Sequence, residues 1–365
     1  MSPAKIPWFG PEVGEREKQL IAEVIDSNYI NDGAVTRRFE AEVARVVGTR
    51  HAVGVTSGTA AISLALMGLG VGRGDEVLVP DLTFVATANA VAMTGAAVRL
   101  VDIEPQHFAI DPARLESAIG PRTRAIVTVD VNGRGADYGA IEAIVRARGL
   151  ALVTDSAEGF ASKWKGRALG ALGNAGCFSF SANKTVTTGQ GGMITTNDTG
   201  LYHRLLELKD QGRRKQGTGG DDLHPVLGFN FKLTNLQAAV GLAQLERLSA
   251  RMEFARERDR WYREALADCS GVALPPVDHE GGEVVQWTDA LVEDRQRLRK
   301  AFDASRIGYR AFWFPVHTQK PYAAADSVFP IATRVSAQGL WLPSAYSLTR
   351  EEVVRVAEVA RTALP

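Results

Sequence analysis

One lysine stands between an apolar segment and a glycine-rich turn. Lys184 follows the run FSFSAN and precedes TVTTGQGG. A lysine that folding partly removes from water favours its neutral amine, which is the nucleophile that forms imines with carbonyl compounds. Ser179, in the apolar segment, carries a hydroxyl that can donate to a phosphate. The alternative interpretation is a surface lysine in a turn, which is where most lysines lie.

Two carboxylates follow another apolar segment. Asp155 ends the run LALVTD, and Glu158 comes shortly after it. A carboxylate at the carboxyl end of a buried parallel strand lies where ligands bind, and it can hold the protonated ring nitrogen of a cofactor cationic. A cationic ring is an electron sink. The alternatives are that Asp155 caps the next element and that Glu158 faces solvent.

Small residues mark a third site. Ser57, Gly58 and Thr59 separate a strand from a helix, where backbone N–H groups and the helix dipole favour a phosphate. Taken alone, the turn is better explained as an ordinary N-cap by Ser57 or Thr59. Asn230, in GFNF, precedes a helix that Thr234 opens, and an ordinary strand would explain it too. A phosphate turn, a ring-nitrogen carboxylate and an imine-forming lysine, in that order, are what a pyridoxal 5'-phosphate site requires.

The elements that position these residues alternate along the first part of the chain. Apolar runs predict strands at 51–56, 76–80, 98–103, 124–131 and 150–154, and helices at 59–69, 84–93, 112–119 and 138–148. Asp111 is the predicted cap of the third helix, with Pro112 in its first turn. Strands this apolar indicate a parallel sheet with helices on both faces, and thus an α/β fold.

The second part of the chain changes character. Residues 210–225 are polar and rich in glycine, which predicts a mobile surface loop. A long helix is predicted from Thr234 to about Ala267, with a charged second half that leaves the core for solvent. We place the domain boundary there, giving a large domain with an N-terminal arm (1–245) and a small α+β domain (246–365). The small domain is predicted to hold strands at 284–292 and 309–314 and helices at 295–305 and 350–364.

Composition narrows the class of protein. The 365 residues include 42 Lys and Arg against 42 Asp and Glu, so there is no general electrostatic case for binding nucleic acid or an anionic membrane. Cys177 and Cys269 are the two cysteines. They lie far apart in the sequence, so a disulfide framework is not expected. A location in the reducing cytoplasm is expected instead. The sequence shows neither a secretory signal nor an apolar run long enough to span a membrane.

Several motifs agree in order and spacing with one known family. The segments SGTAAISLAL, GDEVLVPDLTFVATANAV, VTDSAEGFAS, CFSFSANKTVTTGQGGMITTND and GFNFKLTNLQAAVGLAQL resemble the nucleotide-sugar aminotransferases of the DegT/StrS type. The resemblance extends from about Phe9 to the C-terminus. NKTVTTG and FPVHTQKPY are similar to its GDP-perosamine synthase branch. It implies the aspartate-aminotransferase fold (pyridoxal-phosphate fold type I), with a mainly parallel seven-stranded sheet and a small C-terminal α+β domain, and a homodimer with shared sites.

The resemblance also implies roles for individual residues. Lys184 matches the Schiff-base lysine, and Asp155 matches the partner of the pyridine nitrogen. Glu158 matches a contact to the ring hydroxyl, and Phe84 an aromatic ring stacked on the pyridine. Three residues match contacts to the phosphate: Gly58, Thr59 and Ser179. Asn230 matches a phosphate contact that reaches in from the partner subunit.

The implied substrates are L-glutamate as amino donor and a keto sugar as acceptor. The acceptor is expected to be a nucleotide-linked 4-keto-6-deoxyhexose of the perosamine kind, used in amino-sugar, polysaccharide or glycoside biosynthesis. His317 falls in a segment near the sugar site, and Asp130 lies in VDVNG, where the perosamine branch usually has VHLYG. Two other departures are Gln190, where the family has Glu, and RRKQGTGG after Gly212, which lacks aromatic residues.

Other functions stay open on the sequence. Some relatives are dehydratases with histidine at the lysine position, which Lys184 disfavours. Another keto sugar, or a keto-cyclitol, is an alternative acceptor. A catalytically silent relative that binds the cofactor and regulates is a third reading, although such a protein need not keep Lys184 and Asp155. A simple Rossmann protein lacks support because no G-x-G-x-x-G turn follows the first strand.

Overall fold

A seven-stranded sheet forms the centre of the molecule. The computed structural model describes residues 4–214 and 222–364. In chain order, the strands up to Thr196 are β1 (His51–Val55), β2 (Glu76–Pro80), β3 (Ala97–Val101), β4 (Thr123–Val129), β5 (Ala151–Asp155), the short β6 (Lys163–Trp164) and β7 (Arg167–Ala168), β8 (Ala175–Ser179) and β9 (Gly192–Thr196). The large sheet has the order β1-β9-β8-β5-β4-β2-β3. β9 is antiparallel to both neighbours and the other pairs are parallel, which confirms the predicted mainly parallel sheet.

Helices cover both faces of this sheet. The first eight helices of the chain are α1 (Glu15–Asp26), α2 (Ala34–Val47), α3 (Gly58–Gly68), α4 (Ala86–Met93), α5 (Pro112–Ala118), α6 (Tyr138–Arg148), α7 (Thr199–Lys209) and α8 (Asn235–Glu246). On β2, Val77 and Val79 join a core cluster with α3, α4 and α7, whereas Leu78 between them packs toward α5 and α6. The alternation is that of a strand buried on both faces.

A second sheet is built from the C-terminal part of the chain. Its strands are β10 (Val272–Ala273), β11 (Thr288–Val292), β12 (Arg310–Ala311) and β13 (Gly339–Leu342), in the antiparallel order β10-β11-β13-β12. It is accompanied by four helices: α9 (Leu248–Ala265), α10 (Arg295–Ala304), α11 (Pro330–Gln338) and α12 (Arg350–Ala363). The small α+β part of the predicted fold is therefore present. The predicted boundary between residues 245 and 246 stays a prediction.

The prediction of one long helix with a solvent-exposed second half is wrong. The helix breaks at Arg247, between α8 and α9, and α9 packs one face inside the molecule. Arg251, Arg258 and Asp259 are buried on that face, whereas the charged residues between them are exposed. Arg258 is fully buried. It donates hydrogen bonds of 2.9 to 3.0 Å to the carbonyl oxygens of Ser344, Val285 and Gln286. A guanidinium with such partners is tolerated in a core.

Two further predictions concern the surface loop at 210–225 and membrane-spanning segments. The centre of the predicted loop at 210–225 lies outside the described residues, because 215–221 are not described. Within the described residues, no helix is long and apolar enough to cross a membrane.

Candidate active site

A cavity of about 420 Å³ opens at the carboxyl ends of the parallel strands. This edge of a parallel sheet is where α/β proteins bind ligands. The structure brings seven of the residues singled out in the sequence to its wall: Gly58, Thr59, Phe84, Asp155, Glu158, Ser179 and Lys184. They come from the ends of four different strands, so the fold assembles what the sequence separates.

Lys184 lies between a carboxylate and an aromatic ring. Its Nζ is 3.1 Å from Oε1 of Glu158 and 5.3 Å from the ring centre of Trp287. Its side chain is only 12% exposed, so the alternative of a surface lysine is excluded. An amine held on the cavity wall with a carboxylate beside it is placed to form an imine and to exchange protons.

Asp155 is buried at the base of the cavity. Thr87 Oγ1 donates to its Oδ2 at 2.7 Å, and the N–H of Ala157 donates to its Oδ1 at 3.2 Å. Burial raises the pKa of Asp155 to about 6, and these two hydrogen bonds oppose that rise. A cationic N–H brought to this carboxylate would offset the cost of burying its charge. The residue is thus suited to hold a protonated ring nitrogen.

A turn with free N–H groups lies at the opening of α3. Ser57 caps the helix by accepting the N–H of Ala60 at 3.1 Å, and no hydrogen bond of the described residues uses the N–H of Gly58 or Thr59. A Cβ on Gly192 would lie 2.3 Å from the carbonyl oxygen of Ser57, so glycine is required where β9 passes this turn. Ser179, at the end of β8, faces Gly58. The turn that caps α3 therefore also offers free N–H groups to an anion, so the two sequence interpretations are compatible.

Asn132, the asparagine of the VDVNG segment that departs from the perosamine branch, positions two residues of the cavity wall. Its backbone is in the left-handed region, with φ of 55°. Its N–H donates to Oε2 of Glu158 at 3.0 Å, while its side-chain amide pairs with the backbone N–H and carbonyl of Trp287 at 2.8 and 2.5 Å. Asparagine tolerates this backbone conformation better than most residues. It thereby fixes Glu158 and Trp287 on either side of Lys184.

Three large side chains from the C-terminal part of the chain complete the wall. They are Trp287, Arg310 and Trp313. Trp287 and Arg310 carried no local signal in the sequence, and Trp313 stands just before the FPVHTQKPY segment, which did not single it out. Only the packing of the second sheet against the first brings them to Lys184.

The comparisons with known proteins agree with this geometry. A profile described as the DegT/DnrJ/EryC1/StrS aminotransferase family matches residues 11–361. The chain belongs to this family. Its cofactor is pyridoxal 5'-phosphate. The wall fits that group, because it joins the amine of Lys184, the buried carboxylate of Asp155 and the free N–H groups of the turn at Gly58.

Individual relatives match over almost their whole length. The GDP-perosamine synthase of Caulobacter vibrioides is 38% identical over 361 residues, which cover 96% of each chain. The UDP-N-acetyl-3-dehydro-alpha-D-glucosamine 3-aminotransferase of Acidithiobacillus ferrooxidans is 35% identical, over 94% of this chain and 92% of its own. The crystal structure of S. venezuelae DesV in complex with a ketimine intermediate superimposes with a TM-score of 0.92 at 32% identity, over 99% of this chain and 98% of that one.

The turn at Gly58 gives a first test of cofactor binding in this aminotransferase. A Cβ on Gly58 would lie 2.9 Å from Cβ of Ser179, so Gly58→Ala must push Ser179 away from the turn. We expect the dissociation constant of pyridoxal phosphate to rise about tenfold, as for the loss of one good hydrogen bond to a charged group. Titration of the cofactor-free protein, followed by absorbance, measures it. Gly10→Ala is the matched control, because nothing lies within 4 Å of its Cβ. Equal affinity in all three proteins would place the phosphate elsewhere.

The three remaining predicted residues are not on the cavity wall. Asn230 is exposed and bridges to Asp210. Asp130 is buried, accepts hydrogen bonds from Tyr138 at 2.5 Å and Ser156 at 2.6 Å, and has a pKa that burial raises to about 7. The roles given to both residues stay predictions.

His317 lies in a closed polar cluster. It is 1% exposed, its Nδ1 is 2.6 Å from Asp81 Oδ2, and its Nε2 is 3.0 Å from Asp326 Oδ1. Burial lowers the pKa of His317, but the hydrogen bonds to Asp81 and Asp326 outweigh it and raise the pKa above its ordinary value. Two carboxylates suit the doubly protonated ring, which donates from both nitrogens. Its predicted role near the sugar stays a prediction.

This cluster predicts a pH-dependent contribution to stability. Because the pKa of His317 is raised by folding, its stabilisation is fully present below the unfolded pKa and is lost as pH rises through the folded pKa. We expect His317→Gln to lower the free energy of unfolding by about 1–3 kcal/mol at pH 6, and by less at pH 9. Thermal unfolding at several pH values measures it. Asp326→Asn is the control with a smaller effect, since that carboxylate is 73% exposed. A deficit independent of pH would show that the charge of His317 contributes nothing.

Proposed function

We propose that this aminotransferase transfers the amino group of L-glutamate to the keto carbon of a nucleotide-linked 4-keto-6-deoxyhexose. The observation that carries the proposal is the single cavity that unites Lys184, Asp155 and the turn at Gly58. The choice of sugar is supported by the match, over nearly the full length of both chains, to a GDP-perosamine synthase. The product would serve amino-sugar, polysaccharide or lipopolysaccharide biosynthesis.

Lys184 is the group that moves protons, and Glu158 positions it. Bound pyridoxal phosphate supplies an electron sink for the negative charge that develops at the donor's α-carbon. Lys184, freed when the donor arrives, takes the proton from that carbon and returns one to the next reacting carbon. Glu158 lies 3.1 Å from the Lys184 amine, so it accepts a hydrogen bond from that amine and holds it in place.

Asp155, Phe84 and the turn at Gly58 hold the cofactor. With the cofactor bound, the buried Asp155 carboxylate would keep the ring nitrogen protonated, and Phe84, which lines the cavity and is 53% exposed in the single chain, would cover the ring. The free N–H groups of the turn, with Ser179, bind the phosphate. The donor's keto acid leaves before the sugar enters, so the same groups serve both half-reactions and ping-pong kinetics follow.

A homodimer with shared sites is part of the proposal. Asn230 is absent from the cavity wall of its own chain, so a phosphate contact by this residue requires a second copy. Leu227, beside it, is 84% exposed, as is expected of a side chain that another subunit covers. We also propose a cytoplasmic location, which the two free and buried cysteines suit.

Another acceptor is the second candidate. The relative that aminates a 3-keto sugar is nearly as similar to this chain as the perosamine synthase, so a ketone at another carbon is a specific alternative. Product analysis with both kinds of keto sugar separates the two. A keto-cyclitol belongs in the same panel, and a silent regulator would act on none of them.

The test is the absorbance spectrum of the cofactor-loaded protein before and after L-glutamate. We expect the visible band of lysine-bound cofactor to fall and a near-ultraviolet band of the aminated cofactor to rise. The keto sugar should then restore the visible band, with an aminated sugar detected by mass spectrometry. A band indifferent to L-glutamate would contradict the proposed donor. No band after pyridoxal phosphate is supplied would contradict the whole proposal.

A further inference from the structure

Arg310 is a second cation on the wall of the active-site cavity. It lies on β12, and its guanidinium carbon is 5.3 Å from the ring centre of Trp8 and 5.5 Å from that of Trp341. Among the described residues, no carboxylate lies within ion-pair distance of it and no hydrogen bond uses its N–H groups. Its charge is therefore held in place by aromatic rings, with its donors left available.

Two fully buried arginines, one in each part of the chain, have partners within the protein. Arg258 donates to three backbone carbonyls, and Arg134 forms a buried ion pair with Asp289. Stacking on tryptophan attracts a guanidinium through the ring face without using its N–H donors. Arg310 is thus fixed in orientation, and its fork of donors remains free for a ligand in the cavity.

The described part of the cavity wall offers one available positive charge, that of Arg310, to an anionic substrate. Among the described residues that line it, the cations are Lys184 and Arg310, and the anions are Asp155 and Glu158. Lys184 is committed to the cofactor. Trp287 connects the two cations, since its ring is 5.3 Å from Lys184 Nζ and 5.1 Å from the ring of Trp341, on which Arg310 lies.

We propose that Arg310 binds the α-carboxylate of the amino donor. The donor's amine must reach the cofactor carbon to which Lys184 would be joined. The α-carboxylate is attached to the donor carbon that bears this amine. Its anion must therefore lie on the cavity wall close to Lys184, and the planar guanidinium matches a carboxylate with two parallel hydrogen bonds. The diphosphate of a nucleotide sugar is separated from the keto carbon by the sugar ring, so it is less suited to this position. The inference rests on the proposed transamination.

The experiment uses the cofactor-loaded protein and its Arg310→Gln and Arg310→Lys variants. The concentration of L-glutamate that converts half of the visible band is expected to rise about 100-fold in Arg310→Gln and less in Arg310→Lys, which keeps the charge without the fork. Binding of glutarate, a dicarboxylate with no amine to react, is measured by calorimetry and should weaken in parallel. Affinity for pyridoxal phosphate and for GDP should not change. Arg299→Gln is the matched control, because Arg299 also stacks on a ring, at 5.5 Å from Tyr309, but is exposed outside the cavity.

The outcomes separate this inference from the proposed function. If the wild type answers L-glutamate and Arg310→Gln answers the same concentration, the inference is overturned while the function stands. Weaker GDP binding with unchanged L-glutamate dependence would assign the guanidinium to the diphosphate and overturn it as well. A wild type that answers another L-amino acid changes only the donor, and the variants are then compared with that amino acid. No answer to any L-amino acid would overturn both.

Discussion

Lys184→Ala is expected to lower the rate of transamination by about 10⁴-fold or more. The variant removes both the amine that carries the cofactor and the base that moves the substrate proton, and Glu158, 3.1 Å away, is no replacement because its carboxylate cannot form an imine. The rate is measured in single turnovers with L-glutamate, which separates the chemical step from product release. Sodium borohydride, which reduces imines, should add the mass of the cofactor to the wild-type peptide that contains Lys184 and add nothing to the variant.

A matched control fixes the interpretation of that loss. Lys300 is exposed on α10, and Lys300→Ala should keep the full rate and the borohydride adduct. Thermal unfolding of both variants shows whether Lys184→Ala still folds. An active Lys184→Ala variant, or an adduct on another lysine, would contradict the assignment of Lys184.

Asp155→Asn is expected to change cofactor binding and stability in opposite directions. The amide has the shape of the carboxylate and keeps an acceptor for Thr87 Oγ1, but it no longer pairs with a cationic nitrogen. We expect weaker binding of pyridoxal phosphate and a fall in the rate of about 10²–10⁴-fold, because the ring loses its proton and with it the electron sink. Absorbance titration and single-turnover rates measure the two effects.

The stability of the cofactor-free protein distinguishes a buried charge from a purely structural role of Asp155. Only a buried charge makes Asp155→Asn more stable than the wild type. Folding raises the pKa of Asp155 from 3.8 to about 6, so the folded protein binds more protons than the unfolded chain between these pH values. The free energy of unfolding therefore falls as pH rises through that window. At pH 7 the cofactor-free Asp155→Asn protein should be more stable than the wild type by up to about 3 kcal/mol, and this advantage should vanish near pH 4.

Denaturant unfolding of both cofactor-free proteins at pH 4 and pH 7 is the measurement. A variant that is less stable at both pH values, with unchanged affinity for pyridoxal phosphate, would show that Asp155 acts only through its hydrogen bonds with Thr87 and Ala157. Another group would then hold the ring nitrogen.

The sequence by itself determined the parts of the site that depend on short-range patterns. The apolar runs that became β1, β2, β4 and β5 end where the strands end, to within a few residues, because a strand buried on both faces leaves its composition in the sequence. Asp155 is the last residue of β5, Gly58 follows β1 by three residues, and Lys184 follows β8 by five. The rule that parallel strands present ligands at their carboxyl ends then sufficed to place these residues together.

Only the tertiary structure decided which distant side chains close the cavity. Trp287 and Arg310 reach it from the second sheet. Asn132 bonds to Glu158, 26 positions away, and to Trp287, 155 positions away. The charged side chains of α9 predicted a helix exposed to solvent, yet Arg258 is buried. Its partners are backbone carbonyls, which no sequence pattern marks. Local propensity reports what a residue does to its own segment, whereas these contacts depend on which segments the complete fold brings together.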